Sequence, residues 1–474
     1  MGTRTWLERR FRLAARFALY GSLVVVAATA VGLASLLNRP PPPQATERWI
    51  EVDYRNLPAV QLLQRYVQID TSRSTGDEVA GARFLAAQLE AAGIPARIEQ
   101  LDGRHANLYA SLAGRDPRPL VLHNHIDVTD VDLGQWFYPP FAARIELPWI
   151  YGRGVFDMKS VAIAQLLAVI DLKRSGKPLR RSVLFLATGD EEEGDSWLGA
   201  RWVIAQHPAL VKTFWALLTE GGTVEARTRS NIKYWGTEVA QRHYADLRVC
   251  GGSKEELEAL RQELIDAGHQ DTDLRMTPEV REVLSRYVTT RDSALLRAAL
   301  ARTEDMVGDV AAFRELPGYL RSMLHNEAVP YDVEEAPGGG YELLVKLQIL
   351  PGLRAADVRD RLVPPWMLHG LHTTLEEPPG SPGASPINHP VLEEIIAGIH
   401  ADFPGAPAGP FFLPFTATDA RFFRAAGVPS YGFSPFLIMS TDTLQADRSN
   451  ERMALPGYVQ GIELYRKIVR QLVM

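Results

Sequence analysis

Four short apolar segments, interrupted by one helical pattern, constrain the fold of this chain most strongly. The segments cover residues 106–112, 119–126, 182–188 and 214–218, and apolar residues recur at helical spacing over 159–172. Short apolar runs bounded by turn residues are typical of buried strands, and strands that alternate with helices build a largely parallel sheet. The sequence therefore predicts an α/β fold with a mixed, mostly parallel sheet flanked by helices.

The middle of the chain follows a different pattern. Residues 228–250 and 341–350 look extended, whereas residues 253–323 are rich in Glu, Arg, Leu and Ala and look helical. The α/β pattern resumes near Pro390 and continues to the C-terminus. We therefore predict a catalytic domain interrupted by an inserted α+β lid domain. The predicted boundaries are residues 48–225 for the first catalytic part, 226–374 for the lid and 375–474 for the second catalytic part.

The N-terminal segment differs from the rest of the chain. Residues 1–16 form a basic tail, residues 17–37 carry no charge, and residues 38–47 form a proline-rich linker. A helix over 17–37 would span roughly 30 Å, the thickness of a bilayer core, and its flanking arginines favour the cytoplasmic side. We predict a single-pass membrane anchor with the catalytic domain in the periplasm or outside the cell. The alternative is a cleaved signal peptide, because 28–30 resembles a cleavage site.

Charge and cysteine content exclude two classes of protein. The formal net charge is −6, and no basic stripe follows the N-terminal tail, so nucleic acid is not an expected partner. Cys250 is the single cysteine, which excludes an internal disulfide framework and a cysteine-based zinc site. A metal site in this chain would therefore use histidine and carboxylate ligands.

His125 and Asp127 stand at the end of the second apolar segment. Residues i and i+2 of a strand point to the same face, so both would project from the carboxyl end of a parallel strand, where α/β proteins place ligands. The Asp127 carboxylate can accept the imidazole N–H and leave the other nitrogen of His125 for a metal ion. The alternative is a surface histidine beside an unrelated aspartate.

Further carboxylates follow the other segments. Asp157 lies in a glycine-rich loop before the helical pattern, where it can either bridge two cations or cap the helix. Glu191 and Glu192 belong to a run of acids after the third apolar segment, and Glu220 follows the fourth. One of two adjacent carboxylates can bind a metal ion while its neighbour takes a proton from water. The alternative for this acidic run is a solvated surface.

Several motifs follow one another in a fixed order along the chain. They are HNHIDV (123–128), YGRGVFDMKS (151–160), GDEEEG (189–194), TEGG (219–222), TDARFF (418–423) and SNERM (449–453). As a set they resemble the co-catalytic zinc hydrolases that include aminoacylase, carnosinase, bacterial glutamate carboxypeptidase and vacuolar carboxypeptidase S. The resemblance covers nearly all of residues 55–225 and 385–474, and it implies a zinc exopeptidase-like fold.

The resemblance also implies a site for two divalent metal ions, with zinc as the expected metal. His125 and Glu220 would bind one ion and Glu192 the other, with Asp157 as a bridge between them. Glu191 would act first as general base and then as general acid, a role worth about 10²–10⁴-fold in rate. Asp127 would orient the histidine.

One expected metal ligand departs from the family pattern. The histidine that precedes an Asn-Glu pair in the family corresponds here to Asp447, ahead of Asn450 and Glu451. An ion bound at Asp447 would have three carboxylate ligands and no imidazole. Such a ligand set favours harder ions, so Mn²⁺ or Mg²⁺ is the alternative to zinc at Asp447. We therefore predict a mixed or weakened site there.

The lid departs from the pattern as well. Residues 249–254 lack the histidine that family members carry after the first lid strand, and Gln348 stands where an arginine often precedes the Pro-Gly turn. Loss of an oxyanion donor typically costs about 10²–10³ in rate, and loss of the arginine removes a bidentate carboxylate contact. His243 could replace the missing histidine, although a lone histidine in a strand is more often structural.

Two functions remain open from the sequence. The first is a metal-dependent hydrolase that cleaves an amide or peptide bond in a small peptide or an N-acyl amino acid. The second is a catalytically impaired homologue that binds a ligand or has a structural role at the envelope. Retention of Glu191 and Glu192 favours the enzyme, whereas the changed lid and ligand positions favour the alternative. The resemblance also raises a homodimer formed through the lid.

Overall fold

A nine-stranded mixed sheet forms the centre of the protein. The computed structural model describes residues 53–474 apart from residues 195, 229–230, 268–273, 288–312, 314–317, 337, 378–382, 415, 440–441 and 443–444. Within this part of the chain, residues Tyr54–Met474 belong to one compact unit.

The described part of the chain contains strands, α-helices and short 3₁₀ helices. The strands are β1 (Ala96–Gln100), β2 (Ala106–Leu112), β3 (Asp116–His125), β4 (Arg144–Glu146), β5 (Trp149–Tyr151), β6 (Arg181–Thr188), β7 (Ala216–Thr219), β8 (Thr223–Thr228), β9 (Asn231–Gln241), β10 (His243–Cys250), β11 (Glu327–Glu335), β12 (Tyr341–Ile349), β13 (His372–Glu376), β14 (Ala408–Leu413), β15 (Ser430–Gly432) and β16 (Arg452–Ala454). The α-helices are α1 (Pro58–Val67), α2 (Glu78–Ala91), α3 (Lys159–Ser175), α4 (Ala200–Gln206), α5 (Pro208–Val211), α6 (Lys254–Ala267), α7 (Pro278–Tyr287), α8 (Gly318–Arg321), α9 (Ala355–Leu362), α10 (Pro390–Asp402), α11 (Ala420–Ala425) and α12 (Leu455–Val473). Short 3₁₀ helices cover Tyr54–Asn56, Leu133–Gln135 and Pro365–Leu368.

The large sheet has the strand order β1-β2-β6-β3-β7-β15-β9-β14, and β8 pairs with β9. The central pairs β6–β3, β3–β7 and β7–β15 are parallel, as is β9–β14. Strands β1 and β2 add an antiparallel edge, and β8 also pairs antiparallel. The α/β fold with a mixed sheet and a parallel centre is therefore as predicted.

Strand β3 shows why the predicted strands lack a polar face. Leu120 and Leu122 pack in the core with α3 and α12, whereas Val121 packs on the opposite face with α4 and α11. All three side chains are fully buried. A parallel strand covered by helices on both sides is apolar throughout instead of alternating, which explains the uninterrupted apolar runs in the sequence.

A second sheet has four antiparallel strands in the order β11-β12-β10-β13. Its core includes Leu257 and Leu264 of α6. Strand β9 belongs to the large sheet and β10 to the small one, so Arg242 alone separates them in the chain. The predicted domain boundaries stay a prediction, and we propose that the inserted domain begins at His243 instead of residue 226.

None of the helices in the described part of the chain is both long enough and apolar enough to cross a membrane. The longest, α12, carries charged residues such as Glu463 and Arg466 and packs against α3. This finding corrects two predictions: a transmembrane helix in the fold class, and single-pass membrane anchoring with a periplasmic or extracellular catalytic domain. The predicted span itself, residues 17–37, lies outside the described residues.

Candidate metal centre

The carboxyl ends of three neighbouring parallel strands meet at one edge of the large sheet. Strand β3 ends at His125, β6 is followed by Glu191 and Glu192, and β7 is followed by Glu220. Strand β3 pairs with β6 on one side and with β7 on the other. Because parallel neighbours end on the same side of a sheet, the residues after them come together.

His125 lies at the middle of this cluster and is 1% exposed. Its Nδ1 donates a hydrogen bond to the backbone oxygen of Asp127 at 2.9 Å, since a carbonyl oxygen can only accept. Its Nε2 faces Asp157 Oδ1 at 3.1 Å and Glu220 Oε1 at 3.6 Å. With Nδ1 donating to the backbone, Nε2 is the ring atom that faces the carboxylates, and a cation could bind this nitrogen and the carboxylate oxygens together.

The Asp127 carboxylate makes its closest contact away from the imidazole. Its Oδ1 lies 3.6 Å from His125 Nδ1, whereas its Oδ2 accepts a hydrogen bond from the backbone N–H of Glu192 at 2.8 Å. Asp127 therefore connects the end of β3 to the loop after β6. This second contact could not be inferred from the sequence, because it joins segments far apart in the chain.

Asp157 does not cap α3 through its side chain. Met158 occupies the N-cap position, and no side-chain hydrogen bond caps the helix there. The Asp157 carboxylate instead contacts His125. Of the two interpretations of this residue, the geometry favours the carboxylate that faces the cluster.

The loop that carries Asp157 is held by Glu451, which is fully buried. Its Oε1 accepts hydrogen bonds from the backbone N–H groups of Phe156 at 2.7 Å and Asp157 at 3.2 Å. Its Oε2 lies 2.7 Å from Arg153 Nη1. From the sequence, Glu451 was recognised only as a member of the Asn-Glu pair, and no local pattern predicted this supporting role.

Two overlapping sets of side chains among the described residues are close enough to share a metal ion. Ligand atoms of His125, Asp157 and Glu220 lie within 4.8 Å of one another, and so do those of His125, Glu191 and Glu192. Burial raises the pKa of Glu191 to about 8, and burial raises the pKa values of Glu192 and Glu220 well above their usual range. The fold thus brings five of the predicted site residues together.

Asp447 lies beside this cluster but belongs to neither set. Its carboxylate accepts a hydrogen bond from Thr129 Oγ1 at 3.2 Å, and Arg153 Nη1 lies 3.9 Å from its Oδ1. Burial, followed by repulsion from Asp157 and Glu451, raises the pKa of Asp447 to about 8. Asp447 is therefore next to both the positively charged Arg153 guanidinium and the carboxylate of Asp157, the predicted bridge.

The donor set fits divalent cations. Glu192 Oε1 and Asp127 Oδ1 are buried and have no hydrogen-bond partner in the described part of the chain. Buried carboxylates that repel one another cannot all ionise without a compensating positive charge. Burial opposes a charge on His125, yet Glu220, Asp127 and Asp157 raise its pKa well above the usual value. Carboxylate oxygens with one imidazole suit zinc, Mn²⁺ or Mg²⁺.

Glu78 at the start of α2 supports the turn that leads to Glu191. Its Oε1 accepts a hydrogen bond from the backbone N–H of Asp190 at 3.1 Å, and its Oε2 accepts one from Ala106 at 3.3 Å. A Cβ atom on Gly189 would lie 1.8 Å from Glu78 Oε2. No local signal in the sequence marked the burial of Glu78.

The two departures in the lid lie on β10 and β12. Gln348 Oε1 accepts a hydrogen bond from Arg242 Nη1. Arg242 therefore lies next to the position at which family members often carry an arginine. His243 is buried, burial lowers its pKa to about 4, and neither ring nitrogen has a hydrogen-bond partner among the described residues. A structural buried histidine normally has its ring nitrogens hydrogen-bonded, so this geometry does not distinguish the structural interpretation of His243 from a substitute for the missing lid histidine.

Comparison with known proteins places this geometry in a family. The sequence profile of Peptidase family M20/M25/M40 matches residues 121–471. Aminoacylase-1A from Rattus norvegicus is 24% identical over 427 residues, which cover 88% of this chain and 95% of that protein. A succinyl-diaminopimelate desuccinylase from Xanthobacter autotrophicus is 38% identical over 141 residues, which cover 27% of this chain and 36% of that protein.

Solved structures share the fold. An M20 family metallo-carboxypeptidase from Sulfolobus solfataricus has a TM-score of 0.65 at 16% identity, covering 87% of this chain and 99% of that one. Human carnosine dipeptidase 1 has a TM-score of 0.60 at 15% identity, with coverage of 87% and 96%. A dinuclear metal-binding M20 peptidase from Bacillus subtilis has a TM-score of 0.52 at 12% identity, with coverage of 87% and 98%.

The profile match spans most of the chain and includes every predicted site residue. It starts within β3, before His125, and ends within α12, after Asp447. The resemblance expected from the motifs is confirmed. The chain belongs to Peptidase family M20/M25/M40 and is a metal-dependent hydrolase of amide or peptide bonds.

Proposed function

We propose that the substrate is a small peptide or an N-acyl amino acid and that the bond is cleaved at the His125 cluster. The names of the relatives support this substrate class, since they describe an aminoacylase, a desuccinylase and a carnosine dipeptidase. The observation that carries the proposal is the direction of His125 Nε2. It faces two carboxylates while the backbone of Asp127 satisfies the other ring nitrogen.

Two divalent ions would occupy this cluster. We assign His125 and Glu220 to one ion, Glu192 and Asp447 to the other, and Asp157 to both, with zinc as the expected metal. When bound, the ions would lower the pKa of a shared water from 15.7 towards 7 and polarise the amide carbonyl. The buried, unpartnered Glu192 Oε1 supports the second position.

The Asp447 position would accept Mn²⁺ or Mg²⁺ in addition to zinc. Its proposed ligands are all carboxylates, which suit harder ions than imidazole does. Arg153 near Asp447 competes with a cation for the same carboxylate. We therefore expect weaker zinc binding at this position than at His125.

Glu191 would be the general base and the subsequent acid. Its side chain is half-buried, and loss of solvation at the carboxylate raises its pKa to about 8. It would take a proton from the attacking water and return it to the nitrogen of the leaving amine. Asp127 would assist by fixing the backbone N–H of Glu192 next to this base.

Hydrolysis of a panel of N-acyl amino acids and dipeptides tests the proposal. Wild type, Glu191→Ala and Glu191→Gln are compared at matched zinc occupancy. The loss of general base catalysis should lower kcat by about 10²–10⁴-fold in both variants. Equal rates for wild type and the Glu191 variants would overturn the assigned mechanism.

The hypothesis of a catalytically impaired homologue gains no support from the relatives, whose names describe enzymes. The carboxylate sets around His125 also include the base Glu191, which a binding protein would not need. Neither membrane association nor a dimer through the lid is supported by the fold or by the relatives. Pairing through the lid stays a prediction.

A further inference from the structure

A second buried histidine lies beneath the metal centre. His123 precedes His125 by two residues in β3, is 1% exposed, and belongs to neither set of candidate ligands. Its Nδ1 lies 2.9 Å from Thr219 Oγ1, and its Nε2 lies 2.9 Å from Thr188 Oγ1. These threonines are the last residues of β7 and β6. One imidazole therefore connects the ends of three adjacent strands.

The hydrogen bonds have one consistent direction. Thr188 Oγ1 donates to Asp419 Oδ2 at 3.4 Å, so it accepts from the Nε2–H of His123. A neutral imidazole has a single N–H, which Nε2 holds here. Its Nδ1 must then accept from the hydroxyl of Thr219. We call the sequence Thr219, His123, Thr188 and Asp419 the relay.

Each strand that the relay joins leads directly into the metal centre. Thr219 precedes Glu220, His123 is two residues from His125, and the segment after Thr188 contains Glu191. None of the relay residues is a ligand of either ion in the arrangement proposed above. Their hydrogen bonds instead connect side chains of the three strands to one another.

We propose that the relay is a positioning device that fixes the separation of His125, Glu191 and Glu220. This inference rests on the proposed function, because it assigns those three residues to catalysis. A displacement of about 1 Å at a reacting group can cost about 10²-fold in rate. Strand pairing alone restrains the backbone along the strands, whereas the relay also restrains side chains across them.

Substitution of the two threonines by valine tests the relay. Thr188→Val and Thr219→Val keep the shape of the side chain and remove the hydroxyl. Thr237→Val is the matched control, because Thr237 is fully buried in β9 and its Oγ1 has no hydrogen-bond partner in the described structure. Thr188→Ser and Thr219→Ser restore the hydroxyl without the methyl group.

We expect both valine variants to lose about 10²-fold in kcat at saturating substrate and zinc, with KM close to wild type. Zinc affinity, measured by competition with a chelator, should fall about 10–100-fold in the same variants. The serine variants should recover both quantities, and Thr237→Val should match wild type. If the relay contributed only to folding stability, the valine variants would be less stable but would keep the wild-type kcat.

Valine variants of Thr188 and Thr219 that match Thr237→Val in both kcat and zinc affinity would overturn the inference. If these variants do not fold, His123→Asn and His123→Gln replace them, since each keeps one of the two ring contacts. Wild-type values of kcat and zinc affinity in both histidine variants would then overturn it. Absence of hydrolysis in wild type would count against the proposed function instead, while the zinc measurement would still test the relay.

Discussion

Glu451 and Arg153 form a buried ion pair beneath the loop of Asp157. Their side chains are 0% and 3% exposed, and the pair distance is 2.7 Å. Removal of one partner from such a pair leaves the other charge without compensation in a poorly solvated place. The pair therefore makes the position of Asp157 depend on a residue near the C-terminus.

Glu451→Gln should lower the free energy of unfolding by about 3–5 kcal/mol, because the Arg153 guanidinium stays buried without its counter-charge. Urea denaturation measures the loss. The matched control is Glu463→Gln, whose parent side chain is 57% exposed in its pair with Arg466. An exposed pair contributes about 0–1 kcal/mol. Similar small losses for both variants would contradict the account of Glu451.

Asp447 permits a test of metal choice at a single residue. Asp447→His would add an imidazole to a proposed ligand set of carboxylates, and imidazole suits zinc better than Mn²⁺. We expect zinc affinity at the weaker position to rise at least about tenfold, which corresponds to about 1.4 kcal/mol. Isothermal titration with zinc and with Mn²⁺ measures the change. Unchanged or weaker zinc binding would remove Asp447 from the proposed ligand set.

At the residue scale, the sequence predicted the candidate site residues at the ends of strands. It did not predict the residues that hold the surrounding loops in place. His125, Glu192 and Glu220 could be identified because each follows an apolar segment. Glu78 and Glu451 could not, since they act on backbone N–H groups far away in the chain. Such contacts leave no periodic pattern in the local sequence.

At the scale of elements, the turn between β6 and Glu191 is closely packed. Gly189 faces the Glu78 carboxylate, and a Cβ atom there would lie 1.8 Å from Glu78 Oε2. A Cβ on Gly199 would lie 1.9 Å from the backbone oxygen of Gly189. The turn is therefore enclosed on two sides, which limits how the base can move.

Gly189→Ala should destabilise the protein by about 1–3 kcal/mol, because the added methyl group forces the Glu78 carboxylate or the turn to shift. The rate kcat should fall as well, since the shift moves Glu191. Gly103→Ala is the matched control, as a Cβ there would meet no atom within 4 Å. Thermal unfolding and kcat are compared for both variants. A Gly189 variant as stable and active as the Gly103 variant would show that the turn is not constrained.

The sequence located the strands of the parallel centre better than it located their partners. The predicted segments at 182–188 and 214–218 correspond to β6 and β7 within a few residues. Strand β9 was assigned to the lid by sequence position, yet it pairs with β14 and β15 of the large sheet. Local periodicity predicts a strand, whereas its partners depend on contacts with residues far away in the chain.

At the scale of the whole molecule, the fold gathers like charges from distant parts of the chain. Carboxylates from the loop before α3 and from the ends of β6 and β7 surround one imidazole. Metal ions that bind the native chain and not the unfolded one should therefore stabilise the fold. The predicted membrane anchoring gains no support, because no helix in the described part of the chain is long and apolar enough to cross a membrane.

Removal of metal should lower thermal stability. Zinc at 100 times its Kd stabilises a one-site protein by about 2.7 kcal/mol, so dialysis against a chelator should reduce Tm by several degrees. Differential scanning calorimetry of metal-free and zinc-loaded protein measures the shift. The Glu220→Gln variant should show a smaller shift, because it removes a proposed ligand. A Tm that does not respond to zinc would argue against binding at this cluster.

The central claim is that two divalent ions occupy the strand-end cluster around His125. Anomalous diffraction from zinc-soaked crystals, recorded on both sides of the zinc absorption edge, tests it most directly. We expect two peaks that share Asp157, one beside His125 and Glu220 and the other beside Glu192. Absence of a peak next to His125, or zinc bound only at sites elsewhere on the protein, would contradict it.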